Sequence, residues 1–189
     1  MIKIALEPGR GWPMLSVAEV RAIVAEAHVH QLIVTAHAMM TGVAIALAGG
    51  VDELAHSPCG ATADELREIA RRRIPVVGTL HLTGCTPQAA LIVQMGGTLL
   101  YGTDDGNPGI PDGIDVQELR LMKAAGLTPT QVLAAATSEA ADEAGLAPLG
   151  TLKAGAIADV IVVRGDARRL AQSLAVPRLV VSSGVVRSP

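Results

Sequence analysis

The sequence predicts an α/β protein built around a parallel β-sheet and followed by a small β appendage. Short apolar runs that are typical of buried strands alternate with helical stretches, and the connections between them are short. Because successive strand–helix–strand units pack as right-handed parallel crossovers, this repetition predicts one parallel sheet. From Gly150 onward, short β segments separated by glycine-containing turns replace the pattern.

The first half of the chain begins and ends its elements with recognisable local signals. The predicted strands are 2–6, 32–36 and 51–55, and the predicted helices are 17–28, 39–48 and 63–73. Ser16 with Glu19, and Thr62 with Glu65, have the spacing of a capping box and mark the starts of the first and third helices. Gly49-Gly50 ends the second helix.

The second half continues the alternation of strands and helices before short β segments replace it. The predicted strands are 75–80 and 98–101, and the predicted helices are 87–95, 115–125 and 129–141. Gly96-Gly97 and Gly126 end helices, and Thr128-Pro129 begins the last one with a cap and a proline in its first turn. The predicted β segments of the appendage are 150–152, 159–163, 178–181 and 184–187, with a turn at Ser183-Gly184.

The composition fits such a fold and excludes several classes of protein. The chain has 189 residues, 50% of them hydrophobic, a net charge of −3, no Phe, one Trp and one Tyr. This hydrophobic content excludes disorder, and a core of Val, Ile, Leu and Ala suits helices packed on a parallel sheet. A slightly acidic chain with almost no aromatic residues is a poor partner for nucleic acid.

The N-terminal segment and the cysteine content indicate the cellular compartment of the protein. The N-terminal segment has no apolar stretch followed by a small-residue cleavage site, and the longest weakly polar run, 41–51, is too short to span a bilayer. We therefore expect a cytoplasmic protein with no membrane partner. Cys59 and Cys85 are too few for a disulfide framework or a cysteine-based zinc site, and we expect both to be reduced.

Polar residues follow the predicted strands, where active groups of parallel α/β folds lie. His37 follows 32–36, His56 follows 51–55, and Asp104 comes shortly after 98–101. Two neutral imidazoles and a carboxylate on one rim suit Zn²⁺, which lowers the pKa of its bound water to about 7. A carboxylate beside that water can move its proton to a leaving group. A single histidine after a strand is more often structural, but three aligned positions favour a metal site.

The other histidines differ in their position relative to this rim. His81 follows the strand at 75–80 and so belongs to the same rim. His28 and His30 form a His-x-His pattern at the end of a helix, on the opposite face from His37. Their position at a helix C-terminus explains them without a metal.

Several motifs resemble those of one family. They are Leu99–Asp104 with Asp105–Gly109, Ala125–Pro129, Ala135–Ala141, Leu149–Gly155 with Ala158–Val160, and Val180–Val186. The combination resembles the C-terminal part of the amidohydrolase superfamily, in the imidazolonepropionase- and prolidase-like branch. The resemblance covers residues 30–189 and implies part of a (β/α)8 TIM-type barrel, strands 4–8 with their helices, over residues 1–148. Residues 149–189 would then form a C-terminal β-sandwich segment.

The resemblance also assigns roles to the rim residues. It implies one or two divalent metal ions, Zn first among them, held by His37 and His56 on the fifth and sixth barrel strands. Asp104 matches the aspartate of the eighth strand, which binds metal and transfers protons. Lys3 resembles the lysine of the fourth strand, which in binuclear members is carboxylated and bridges two metals. Carboxylation needs a neutral amine and therefore a desolvated pocket.

The chain also departs from the family pattern. The His-x-His motif of the first strand and strands 1–3 are absent, and His28-x-His30 lies on the wrong face to replace it. A barrel of this type needs about 250 residues. We therefore expect weak metal binding by this chain alone, exposed strand edges, and either an N-terminal half-barrel partner chain or a homo-oligomer.

Three functions are compatible with these observations. The resemblance implies a hydrolase that cleaves an amide-like C–N bond of a small molecule or dipeptide, with Asp104 catalytic. From its position on the same rim, His81 is expected either to act in catalysis or substrate binding or to be structural, and Asn107 of the 106–113 rim loop is expected to bind substrate. The alternative is a catalytically incomplete half-barrel, a split-gene subunit or a remnant, that acts only with a partner chain. A doubly wound nucleotide binder ranks last, because residues 8–13 do not supply the Gly-x-Gly-x-x-Gly loop that it needs.

Overall fold

The computed structural model describes residues 1–9, 11, 13–146, 148–166 and 171–187. The strands within these residues are β1 (Ile2–Leu6), β2 (Val34–Ala38), β3 (Glu53–Leu54), β4 (Val76–Val77), β5 (Leu99–Leu100), β6 (Val160–Val162), β7 (Leu179–Ser182) and β8 (Val185–Arg187). The helices are α1 (Val17–Val29), α2 (Thr41–Gly49), α3 (Ala63–Arg72), α4 (Leu80–Thr83), α5 (Thr86–Gln94), α6 (Val116–Ala124), α7 (Pro129–Ala135), α8 (Ser138–Glu143) and α9 (Ala171–Leu174).

The first five strands form one parallel sheet in the order β1-β2-β3-β4-β5. Helices connect each strand to the next, which confirms the predicted α/β class and is consistent with part of a TIM-type barrel. The sequential order places all five carboxyl ends at the same edge of the sheet. No helix in the described part of the chain is long and apolar enough to cross a membrane.

Side chains of β1 alternate between a covered and an open face of the sheet. Ile4 is 8% exposed and Leu6 is fully buried, whereas Lys3 and Ala5 between them are exposed. Burying a side chain of the size of Leu6 contributes about 2 kcal/mol. The helices therefore cover one face of the sheet, and the face that carries Lys3 is open.

Two strand boundaries differ from those predicted, and each difference places a histidine in another secondary-structure element than expected. The predicted strand 32–36 lies two residues later, so His37 is part of β2 rather than the residue after it. The predicted strand 75–80 ends at Val77, because Thr79 has a left-handed backbone with φ 46°. His81 therefore lies in the short helix α4.

The predicted helix 129–141 is two helices. The break is at Thr137, whose φ of −138° and ψ of −94° are not helical and whose hydroxyl donates to the carbonyl oxygen of Leu133 at 2.6 Å. The backbone of Gly150 packs against the carbonyl group of Thr137. Gly150 has φ 71°, and the predicted β segment 150–152 is wrong because this left-handed backbone does not continue a strand.

The appendage contains a three-stranded antiparallel sheet in the order β6-β7-β8. Ser183 and Gly184, with φ of 50° and 77°, form the turn between β7 and β8, as predicted. This sheet lies within the predicted segment 149–189; the sandwich and the domain boundary remain predictions. The last predicted β segment ends at residue 187, which is also the last of the described residues.

The prediction that both cysteines are reduced is wrong for this structure. Cys59, after β3, and Cys85, before α5, form a disulfide with their Cα atoms 5.5 Å apart. Neighbouring parallel strands bring the loops that follow them to the same edge, so 26 residues of sequence separation become a contact. That pairing depends on the sheet order, which the cysteine spacing does not reveal.

Candidate functional site

Two histidines meet at the carboxyl edge of the parallel sheet. His37 is the fourth residue of β2 and lies opposite Ala5 of β1 in the sheet register, and His56 comes two residues after β3. Their ring centroids are 4.6 Å apart and the rings lie edge to face at 76°. The rule that active groups follow parallel strands therefore found two side chains that the fold brings into contact.

His56 is held as a neutral imidazole. Its side chain is buried, and its Nδ1 lies 3.0 Å from the hydroxyl oxygen of Thr79. Burial, together with the nearby charges of His37 and Lys3, lowers the pKa of His56 to about 4. Because metal ligation requires an unprotonated imidazole, His56 is in the correct state at neutral pH.

His37 carries an unsatisfied polar atom. Its Nε2 is buried and makes no hydrogen bond within the described residues. Oε2 of Glu7 lies 3.4 Å from this nitrogen, a distance that allows electrostatic attraction without a well-aligned hydrogen bond. A buried nitrogen of this kind costs about 1–3 kcal/mol unless a ligand engages it. His37 is therefore the side chain that most directly points to a missing ligand.

Lys3 and Asp104 lie within electrostatic reach of the histidine pair. The charge of Lys3 lowers the pKa of His56, whereas the charges of Asp104 and Glu7 act in the opposite direction. Lys3 lies opposite Thr35 in the sheet register and its side chain is exposed. The described residues thus do not bury Lys3 in the desolvated pocket that carboxylation needs.

Asn107 holds Asp104 in a tight loop. Asp104 has a left-handed backbone with φ 56°. The side-chain nitrogen of Asn107 donates to the Asp104 carboxylate at 3.0 Å and to its carbonyl oxygen at 2.7 Å. Asn107, predicted to contact substrate, therefore orients the predicted catalytic carboxylate in this structure.

The fit of these residues to a metal ion is partial. Within the described ranges, no group of three or more His, Cys, Asp or Glu side chains is arranged to hold an ion. His37 and His56 could supply two nitrogen ligands, and Nε2 of His37 is a buried atom without a hydrogen bond. The third predicted ligand, Asp104, interacts with the pair through its charge but does not complete a ligand group with it.

His81, at the same edge, takes part in a hydrogen-bond network. The rule that active groups follow the ends of parallel strands, called here the strand-end rule, did not predict this network. His81 Nδ1 lies 2.6 Å from Oδ2 of Asp115, and the backbone N–H of His81 donates to Oε2 of Glu118 at 2.8 Å. The backbone N–H of Asp115 donates to the Tyr101 hydroxyl at 2.8 Å. Both carboxylates are buried although they are charged residue types.

The acidic members of this network had a weak sequence signal. Asp115 occurs where a cap of the predicted helix 115–125 is expected, and it does cap α6 by accepting from the N–H of Gln117. Glu118 stands beside apolar Leu119 within the same helix. Only the tertiary contacts with α4 show that both carboxylates also serve His81.

The His-x-His pattern lies away from this edge, as predicted. His28 Nε2 is 3.0 Å from the carboxylate of Asp52, just before β3 and therefore at the opposite edge of the sheet. His30 Nε2 is 3.1 Å from Glu26 one helical turn earlier. These contacts explain both histidines structurally.

Imidazoles and carboxylates on the loops that follow parallel strands are typical of the active edge of a (β/α)-barrel enzyme. A sequence model of the amidohydrolase family matches residues 9–186, nearly the whole chain. The chain belongs to the amidohydrolase family. No curated protein sequence matches it.

Solved structures are similar over the full chain. A Xaa-Pro dipeptidase with bound methionine has a TM-score of 0.87 and 20% identity, and the match covers 100% of this chain and 54% of that one. An amidohydrolase with 26% identity has a TM-score of 0.82 and is matched over 99% of this chain and 54% of its own. An ochratoxinase from A. niger gives 22% identity, a TM-score of 0.80, and coverage of 100% and 51%. The chain therefore spans about half the length of the solved structures it matches.

Proposed function

We propose that this chain contributes the carboxyl-edge histidine pair of a metal-dependent hydrolase site that cleaves an amide-like C–N bond of a small molecule or dipeptide. The observation that carries the proposal is the contact between His37 and His56, together with a buried nitrogen of His37 that makes no hydrogen bond within the described residues. Membership of the amidohydrolase family supports the class of reaction. The likeness of the fold to a Xaa-Pro dipeptidase supports a dipeptide among the candidate substrates.

His37 and His56 would hold the divalent ion, and imidazole ligands make Zn²⁺ the first candidate. When bound, such an ion supplies a water activated for attack at neutral pH. Asp104 would take the proton of the attacking water and deliver it to the leaving nitrogen, with Asn107 keeping the carboxylate oriented. Lys3 is a further ligand in this proposal once a covering surface desolvates it.

A second candidate function follows because the described residues provide only part of a metal-ligand set. The described residues provide a pair and not a three-ligand group, and the open face of β1 exposes Lys3 and Ala5. We infer that further ligands come from strands outside the described sheet, whether on the same polypeptide, on a half-barrel partner chain or on a second copy. In this second candidate the chain is inactive alone and hydrolyses its substrate only in the assembled form.

Titration of the purified chain with Co²⁺, followed by its visible absorption, tests the histidine pair. We expect His37→Gln and His56→Gln each to weaken binding by about 10-fold or more, since each removes one nitrogen ligand. His30→Gln, an exposed histidine at the opposite edge, is the matched control and should bind as the parent chain does. Equal binding by His37→Gln and His30→Gln would contradict the proposal.

The two candidates are separated by hydrolysis of a panel of dipeptides and small cyclic amides with Zn²⁺ and bicarbonate present. Turnover by the chain alone that is lost in Asp104→Asn supports a complete site. Co²⁺ binding without turnover supports the form that needs further strands. Turnover that persists in both His37→Gln and Asp104→Asn would contradict the roles proposed for these two residues.

A further inference from the structure

His81 lies beside the histidine pair, although it belongs to a different network. Thr79, whose hydroxyl lies 3.0 Å from His56 Nδ1, is two residues before His81. Two residues of chain span at most about 7 Å between Cα atoms. His81 therefore stands at the same carboxyl edge as His56 and close to Thr79.

The contact with Asp115 determines which nitrogen of His81 carries the proton. Asp115 Oδ2 lies 2.6 Å from Nδ1, and a carboxylate can only accept a hydrogen bond. Nδ1 must therefore be the N–H of the neutral ring, which leaves the lone pair on Nε2. The side chain of His81 is 34% exposed and that of Asp115 is 3% exposed, so the ring reaches solvent while its partner does not.

Asp115 is itself held by its surroundings. Its Oδ1 accepts from the backbone N–H of Gln117 at 2.7 Å, and its own backbone N–H donates to the Tyr101 hydroxyl at 2.8 Å. Glu118 fixes the backbone of His81 from the same helix, through the N–H of that residue at 2.8 Å. Both oxygens of Asp115 are thus committed, one to α6 and one to His81.

We propose that His81 presents Nε2 to the substrate as a hydrogen-bond acceptor and that Asp115 is the positioning residue that fixes this tautomer. The substrate group that suits such a nitrogen is a donor, the N–H of an amine or amide. This inference rests on the proposed function, because it names the substrate contact of the same edge. Tyr101 and Glu118 support it by holding Asp115 and the His81 backbone in place.

The test compares the parent chain with Asp115→Asn by ¹⁵N NMR of the histidine rings at a pH where they are neutral. An asparagine has a single oxygen, which the N–H of Gln117 engages, so its amide group faces His81 with a donor. We expect the parent ring to carry its proton on Nδ1 and the variant ring to carry it on Nε2. A parent ring with its proton on Nε2 overturns the inference.

Acylation by diethyl pyrocarbonate, followed residue by residue with mass spectrometry, tests whether Nε2 is presented to a ligand. We expect His81 to react at least as fast as His28, although its side chain is less exposed, 34% against 50%. Asp115→Asn should slow the reaction of His81 by at least about tenfold, because the lone pair has moved to the ring nitrogen that faces Asn. A purely structural histidine would react slowly in both chains, and that outcome overturns the inference.

Asp115→Ser keeps the inference testable if the asparagine variant folds poorly. A serine can still cap α6 but cannot reach His81, so the ring should lose its fixed tautomer while the helix remains. A thermal unfolding transition like that of the parent chain shows that either variant is folded. Neither readout needs a metal ion or turnover, so failure here leaves the Co²⁺ result standing, and failure of Co²⁺ binding leaves the tautomer result standing.

Discussion

At the level of single residues, Glu118 combines a structural role with a desolvation penalty. Its side chain is fully buried; Oε2 accepts the N–H of His81 at 2.8 Å, while Oε1 makes no hydrogen bond within the described residues. Burial raises the pKa of Glu118 above its ordinary value of 4.5, against the lowering effect of the N–H groups of Leu80 and His81. The folded protein therefore favours the protonated carboxyl more than the unfolded chain does.

Glu118→Gln tests this penalty. The stability that the raised pKa provides is complete below about pH 4.5 and is lost as the pH rises through the folded-state pKa. Glutamine keeps an acceptor for the His81 N–H and does not ionise, so the variant should gain stability relative to the parent between about pH 4.5 and pH 7. Urea unfolding at a series of pH values measures the difference between the two chains.

The exposed Glu139 provides the matched control for that series. Glu139→Gln removes the same charge without a buried carboxyl and should follow the parent curve within about 0.5 kcal/mol. If Glu118→Gln and Glu139→Gln gave parallel curves, the burial of Glu118 would have no energetic consequence.

At the level of elements, the helix starts are determined by local hydrogen bonds. The Thr62 hydroxyl accepts from the N–H of Glu65 at 3.3 Å, and the Glu65 carboxylate accepts from the N–H of Thr62 at 2.6 Å. The helix that follows, α3, buries Leu66 and Ile69 against the sheet. This reciprocal capping sets where the helix begins and so aims its apolar face at the core.

Thr62→Ala should destabilise the protein by about 1 kcal/mol, because the N–H of Glu65 loses its side-chain acceptor. Thermal unfolding of the variant measures the loss. Thr130→Ala, an exposed threonine in the first turn of α7 that does not cap it, is the control and should change stability by less than about 0.5 kcal/mol. Equal effects of the two substitutions would show that the capping box on α3 contributes nothing.

The element boundaries show where local patterns are insufficient. The helix signal over 129–141 is continuous in the sequence, yet the helix breaks at Thr137, where the backbone of Gly150 from the following segment packs against the Thr137 carbonyl group. In the same way, the left-handed Thr79 ends β4 early and begins α4. In both cases the decisive contact or conformation lies outside the periodicity that defines the element.

At the level of the whole molecule, the disulfide ties together two loops of the candidate site. Cys59 follows His56 by three residues, and Cys85 lies in the segment after Thr79, which contacts His56. The Ser57 hydroxyl also donates to the carbonyl oxygen of Cys85 at 2.9 Å. The covalent link therefore spans the loops that position one member of the histidine pair.

Reduction of the disulfide should destabilise the protein by about 3 kcal/mol, the loop-closure effect expected for a loop of this size. Thermal unfolding with and without dithiothreitol measures the loss, and thiol titration should find no free thiol before reduction and two after it. The Cys59→Ser/Cys85→Ser double variant is the control and should show no response to dithiothreitol. Two titratable thiols in the untreated protein would contradict the link.

Residues 37 and 56 show how far the sequence could predict the site. The strand-end rule found both because the carboxyl ends of parallel strands meet at one edge whatever the details of packing. It did not find Asp115 and Glu118, because their contacts with His81 join residues 34 and 37 positions apart. No local pattern encodes which helix faces which turn across that distance.

The sequence by itself determined the α/β class with a parallel sheet, the capping boxes at Ser16 and Thr62, and the placement of His37 and His56 at one edge of that sheet. These features depend on hydrogen bonds and apolar periodicity within a few residues, which are local properties of the chain. The tertiary structure decided the rest: the pairing of Cys59 with Cys85, the unsatisfied Nε2 of His37, and the tautomer that Asp115 imposes on His81. Those features depend on which distant groups the packed sheet brings within hydrogen-bonding or bonding distance, and burial then gives each contact its energetic weight.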